Sequence, residues 1–340
     1  MQTTIFKSIL IAAAMAISTG GNAQKGITLR PDEANRKVDI LCDGRLFTSY
    51  IYPADMEKPV LYPIYTSSGV VITRGFPRDP RPNERVDHPH QVGLWFNFGD
   101  VNGLDFWNNS FAIPADQKSK FGSIKHRQII KAKSGRKEGI LVTTSDWIDY
   151  KGNVLLKDTT VYVFSGKGNR RIIRHTTSLT AQVPVTFNDN KEGLIGLRVD
   201  RAFEEPSDKP EVFLDANGNP TTVPVMNNEG VNGVYRNREG LQKESAVWGK
   251  PTRWVCLSAK KDGKDISIAI IDNKNNPGYP AHFHARGYGL FAANNMGSQV
   301  FDKNAPHFTL KLQPKQSVTF THTFVIQDGG FLTDKVLNSF

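Results

Sequence analysis

The sequence predicts an all-β fold, a large antiparallel β-sandwich, and three observations predict it. Apolar and polar residues alternate in short runs along most of the chain. Glycine, asparagine and proline punctuate those runs at short intervals. Helical periodicity is scarce, and a long chain with so many short strands buries its core most simply between two sheets.

The elements follow in chain order. Residues 1–23 read as an address: Lys7 gives a basic start, residues 9–16 an apolar stretch, and Gly21-Asn22-Ala23 a small-residue cleavage site before Gln24. The expectation is a signal peptide cut near Ala23-Gln24 and a periplasmic or secreted product. The apolar stretch is too short to span a bilayer, and no cysteine follows it to take a lipid. Residues 24–340 read as a single β-sandwich domain, because strand patterns continue without a low-complexity bridge. Residues 38–41 and 46–52 are the first strands. Residues 74–90, RGFPRDPRPNERVDHPH, are a proline- and charge-rich loop at one rim, where sites usually lie.

Residues 118–137 are the most basic part of a chain whose net charge is +10. Lys125, Arg127, Lys131 and Lys133 alternate there with Ile124, Ile129 and Ile130, as on a solvated strand face. No glycine-aromatic nucleic-acid motif accompanies them, so nucleic acid is not expected; an acidic glycan is the partner such a patch would suit. Residues 140–147, 154–164 and 171–180 form a meander. Residues 205–243 form a second long loop, and residues 266–271 a further strand. Residues 307–312 and 317–326 are expected as a hairpin, and residues 331–340 as the one fair helix. Cys42 and Cys256 read as two buried small hydrophobes ahead of a disulfide.

Candidate chemistry gathers in three segments. The first is residues 87–107, DHPHQVGLWFNFGDVNGLDFW, dense in acids, imidazoles and aromatics. His88 and His90 lie two apart, so an extended backbone would present both to one side, and Pro89 places the pair at an edge or a strand entry. His282 and His284 in HFHARGYGLFAANN repeat that spacing. The third segment, NDNKEGLIGLRVD, places Glu192 at the head of an apolar strand that carries Arg198. Arg74, Arg198 and Arg286 could hold a carboxylate or sugar hydroxyls by paired hydrogen bonds. Trp95, Phe96, Phe98, Phe106 and Trp107 alternate mostly as core, with one or two free to stack on a sugar face. His175 and His322 alternate with apolar neighbours and read as satisfied sheet histidines. No nucleophile elbow, phosphate loop, dinucleotide fingerprint or cysteine metal motif appears, which argues against phosphate transfer and nicotinamide chemistry.

These residues resemble an exported bacterial family of unestablished function that often carries the label "methane oxygenase PmoA". The resemblance rests on the two segments already quoted, residues 87–107 and 188–200, and on IAIIDNKNNPGYPAHFHARGYGLFAANNMG. The resemblance implies a third histidine where this chain has Gln91, an amide that ligates metal poorly. It also implies a setting beside glycan-degradation genes. The label's chemistry fails on physical grounds: a membrane oxygenase needs several spanning helices, and no apolar run of about 18 or more residues follows Gln24. A concave β-sandwich lined by histidine and carboxylate resembles the galactose-mutarotase supersandwich.

The leading expectation is an exported carbohydrate-active enzyme, of epimerase, hydrolase or lyase type. In it His90 or His284 is the general acid and Glu192 the general base. Arg74, Asp87, His88, Gln91, Arg198, His282, Arg286 and Asn294 bind a sugar or oligosaccharide. No cofactor is firmly predicted. One alternative sets a divalent metal between the two His-x-His units. Another is a non-catalytic glycan-binding protein of the cell envelope.

Overall fold

The computed structural model describes residues 25–225 and 227–340, so the expected signal peptide and its cleavage point lie outside the described residues. Two eight-stranded antiparallel sheets make the body. In the first, the strands run in the order Ile27–Asp32, Lys37–Cys42, Arg45–Ile51, Val60–Ile64, Leu94–Phe98, Gly193–Arg198, Leu290–Asn294 and His282–Ala285. In the second they run Val234–Asn237, Trp254–Lys261, Lys264–Asp272, Ser317–Asp328, Arg170–Ala181, Val154–Lys167, Glu138–Ile148 and Ser123–Lys133. The predicted meander is present as three adjacent long strands of this second sheet.

The main core lies between the sheets. Ile40, Phe47, Ile195, Leu197, Phe283 and Phe291 of the first sheet meet Leu141, Phe164, Ile173, Ile268, Ile270 and Phe324 of the second. Burial of such side chains, at roughly 25 cal/mol per Å² of apolar surface, is the main force holding the sheets together. Cys42 and Cys256 are buried and free, as their apolar surroundings suggested.

Two expectations are corrected. Residues 307–312 and 317–326 do not pair with each other: Thr309–Leu312 joins Val185–Asn188 in a small separate sheet. Ser317–Asp328 is already paired on both edges, to Lys264–Asp272 and Arg170–Ala181, so it has no free edge to offer. The C-terminal helix is a single turn, Asp334–Leu337, whose Leu337 packs with Leu332 over Trp254 and Ile271 on the outside of the second sheet. The basic stretch forms the edge strand Ser123–Lys133, where outward lysines guard an open edge against pairing with another chain.

What positions the site is the first sheet's outer face. Strand alternation puts Ile195, Leu197, Phe283, Phe291 and Ala293 inward, and Gly196, Arg198, His282, His284, Ala292 and Asn294 outward. The register aligns Trp95, Gly196, Ala292 and His284 across four neighbouring strands, and His282 lies beside Asn294. Small residues sit at the centre of that row for a reason. A Cβ at Gly196 would come within 2.6 Å of the Trp95 ring and 3.0 Å of Trp107. The Trp95–Trp107 pair, with ring centres 5.2 Å apart, covers this part of the face.

Candidate functional site

The loop of residues 87–91 is built around the Arg74 guanidinium, which is 2% exposed. Nη1 donates to Asp87 Oδ1 at 2.5 Å and to the carbonyls of Asp87 at 2.9 Å and Arg85 at 3.3 Å; Nη2 donates to the carbonyls of His88 at 3.0 Å and Gln91 at 3.1 Å. A loop with so many inward carbonyls could not be buried without a donor fork of this kind. Arg198 completes it, donating to Asp87 Oδ1 at 2.6 Å and Gln91 Oε1 at 2.5 Å. Lys58 donates to the His90 carbonyl at 2.7 Å. Three buried basic side chains therefore hold the loop, and Arg74 and Arg198 commit both of their terminal nitrogens to it.

The product of that scaffold is an oriented histidine. Asp87 Oδ2 lies 2.8 Å from His88 Nδ1. Burial opposes ionisation of Asp87, but Arg198, His88 and Arg74 outweigh it and hold the carboxyl well below the usual carboxylate range. The His88 side chain is 40% exposed, and its ring stacks on Tyr288, 5.1 Å between centres with the planes 1° apart. His88 has a φ of +44°, and Gln91 N donates to the His88 carbonyl at 3.0 Å, so the backbone is a tight turn here. The extended pair expected for His88 and His90 does not form. Their rings lie edge to face, 5.6 Å apart. His90 is turned inward, and burial first, then Lys58 and other cations, push its imidazole well below the ordinary range.

A second pair lies across from this dyad. His284 Nδ1 is 3.9 Å from Glu192 Oε2. Burial pushes the Glu192 carboxyl upward against the pull of Lys191, with Asp105 adding to the rise and His88 opposing it. Burial, then Arg286 and Lys191, push His284 down to about 3. Aromatic and cationic side chains close the circle between the two pairs. Arg286 lies 5.5 Å from the Tyr288 ring centre and 6.0 Å from that of Trp248, while its Nε meets Glu244 Oε1 at 2.6 Å. Trp248 lies 6.2 Å from His284. The structure thus brings together Asp87, His88, Glu192, His284 and Arg286 on one face.

Other predicted site residues lie elsewhere in the assembly. His282 shares the outer face but stacks on Phe301, 5.7 Å away with the planes 8° apart. The Asn294 amide donates to the carbonyls of Asn190 at 2.7 Å and Lys191 at 3.1 Å, which fixes the turn that leads into Glu192. Tyr288, Trp248, Glu244 and Lys58 complete the surroundings and were not singled out from sequence. Tyr288 lies within a segment already noted for its histidines; the other three carry no local pattern that would mark them. The buried nitrogens His90 Nε2, His284 Nδ1, Trp95 Nε1 and Trp248 Nε1 have no hydrogen-bond partner. Unpaired buried polar groups are uncommon and call for an explanation such as a bound ligand.

Among the described residues, no group of three or more histidine, cysteine or acidic side chains is arranged to hold a metal ion. No helix among them is long and apolar enough to cross a membrane.

A family model matches residues 37–340, and the chain belongs to that family, the family of unknown function DUF6807. No curated protein matches the sequence. Similar solved structures include the GH36 alpha-galactosidase AgaB from Geobacillus stearothermophilus, at 13% identity and a TM-score of 0.43, aligned over 89% of this chain and 41% of that one. A galactose mutarotase-like protein from Clostridium acetobutylicum matches at 12% identity and a TM-score of 0.40, over 89% of this chain and 98% of its own. A putative aldose 1-epimerase from Escherichia coli K12 matches at 8% identity and a TM-score of 0.34, over 90% and 99%. The chain thus spans less than half of the alpha-galactosidase.

Proposed function

We propose that this chain is an exported carbohydrate-active enzyme that moves protons on a sugar between two stations, the Asp87–His88 dyad and the Glu192–His284 pair. One observation carries the reading: an exposed imidazole, oriented by an ionised carboxylate, shares a face with a carboxyl of raised proton affinity. A hydrogen-bonded, exposed imidazole and a buried carboxyl suit the roles of base and acid. His88, its Nδ1 against Asp87, takes a proton from a sugar hydroxyl or from water on Nε2. Glu192, whose proton affinity burial raises, gives a proton to a ring or glycosidic oxygen. Tyr288 and Trp248 supply ring faces for the sugar, and Arg286 supplies a donor fork at the rim.

This reading moves Glu192 from the base expected from sequence to the acid, and gives the base to His88, expected there only to bind the sugar. A histidine driven as low as His284 or His90 is neutral near pH 7 and has no acidic proton to give, so the acid is Glu192. Export is supported by the basic, apolar and small-residue order of residues 1–23. Residues 24–340 are taken to act as one domain.

Nuclear magnetic resonance of simple aldoses and of oligosaccharides with the purified protein tests this. Anomer or epimer exchange, new reducing ends, or an unsaturated product should each fall about 10²-fold or more in His88→Ala and Glu192→Gln, the scale of general acid–base contributions. Saturable sugar binding without any product, unchanged in Glu192→Gln, would instead favour a non-catalytic glycan-binding protein.

A further inference from the structure

Beside the dyad loop, Lys58 and His90 share the wall of a cavity of about 240 Å³ with Pro89, Arg78, Asn109 and Phe111. That is below the roughly 300–1,000 Å³ of drug-sized pockets and suits a single ring. Lys58 is the unusual member. It is 4% exposed, it donates only to the His90 carbonyl, and among the described residues no carboxylate lies within 4 Å of its ammonium. An ammonium has three donors and is costly to bury without a counter-charge. The two acids on the wall do not fill that need. Glu57 is shared by Lys118 at 3.4 Å, Lys125 at 3.1 Å and the Ser123 hydroxyl at 2.6 Å. Asp55 is paired with Arg78 at 2.7 Å. His90 Nε2, buried and unpartnered, lies on the same wall. Phe111 is 67% exposed, an apolar ring left open beside polar groups.

We propose that this cavity is a second binding site, for an acidic sugar whose oxyanion completes the Lys58 ammonium and whose ring lies against Phe111. The sugar part rests on the reading given above; the anion part does not. Burial pushes the Lys58 amine down to about 7, partly offset by Asp105 and Glu57. An anion bound there favours the protonated amine. Its affinity should therefore be full below pH 7 and weaken as pH rises above it, by up to tenfold per unit.

Calorimetric titration of the full chain with D-glucuronate, D-glucose and sodium sulfate, at fixed ionic strength between pH 6 and pH 8.5, tests the proposal. Glucuronate should bind at least tenfold more tightly than glucose, lose affinity across that range, and lose its advantage in Lys58→Met. The wild type gives a second measurement that needs no variant: glucuronate should protect Lys58 from reductive methylation, read by mass spectrometry. Equal, pH-independent binding of glucuronate and glucose would overturn the anion site and leave the sugar reading standing. Sulfate protecting Lys58 while neither sugar binds would overturn the acidic-sugar assignment. Tight glucuronate binding that is unchanged in Lys58→Met, with Lys58 unprotected, would overturn the location.

Discussion

The two His-x-His units share a spacing and almost nothing else. His282 and His284 lie in a regular strand, and the pleat alone sends both to the outer face. His88 and His90 lie in a turn with a positive φ, and their rings diverge into different surroundings. The strand unit takes its geometry from its own backbone. The loop unit takes it from Arg198 at the end of one first-sheet strand, Lys58 just ahead of another, and Arg74 in the chain that follows Val60–Ile64. A spacing motif is therefore a statement about faces only where the backbone is extended, and in a loop the same letters acquire their meaning from whatever satisfies the loop's carbonyls.

This contrast can be broken most directly by removing the loop's organiser. Arg74→Met should cost about 3 kcal/mol in urea unfolding, since the inward loop carbonyls lose their donor while Asp87 keeps Arg198. His282→Ala in the strand unit should cost about 1 kcal/mol, the stacking on Phe301 being its main contact. Comparable losses in the two variants would mean that the loop is not held as described.

Activity sharpens the same comparison. Asp87→Asn keeps the shape of the dyad but removes its charge, and should lower turnover of a responsive sugar about 10²-fold, read as a fall in kcat. A change confined to KM would assign Asp87 to binding.

Acid stability separates the units further. The His284 imidazole titrates lower when folded than when unfolded, so protons favour the unfolded chain. Its contribution is complete above about pH 6.5, the unfolded value, and is lost as pH falls toward about 3. The Asp87 carboxyl is also depressed, but its contribution is complete above about pH 4 and is lost only below that. Between pH 6.5 and 4, His284→Gln should therefore lose less stability than the wild type, measured by urea midpoints at each pH. Parallel curves would contradict the burial of a neutral His284.

The smallest effect is expected at the rim. Arg286 and Glu244 are each about one-third exposed, so Arg286→Ala should change stability by no more than about 1 kcal/mol. It should weaken sugar binding several-fold all the same, because the guanidinium lies between Trp248 and Tyr288. Unaltered sugar binding would remove Arg286 from the site.

Much of the fold was legible in the chain. Two-residue alternation marked the meander and the placement of His282 and His284 on one side. Local pattern misjudged the hairpin at residues 307–326, because which strand pairs with which depends on edges that other segments have already taken. Within the site, the segments around Asp87, Glu192 and His284 were recognisable by their mixture of acids, imidazoles and aromatics. The duties of Arg74, Arg198, Gln91 and Asn294 were not, since a side chain that could bind a ligand looks the same in sequence as one that holds a loop. Lys58, Trp248 and Glu244 had no local signature at all.

By itself the sequence determined the class of fold and the faces of its strands, because period-two burial is a property of consecutive residues. It also determined which segments carry chemistry, since ionisable groups among apolar neighbours are visible letter by letter. Only the tertiary structure decided which imidazole is exposed and oriented, which carboxyl has its proton affinity raised, and which arginines hold a loop. Those properties follow from desolvation and from partners brought together across long separations, as Arg198 is to Asp87, 111 residues apart in the chain.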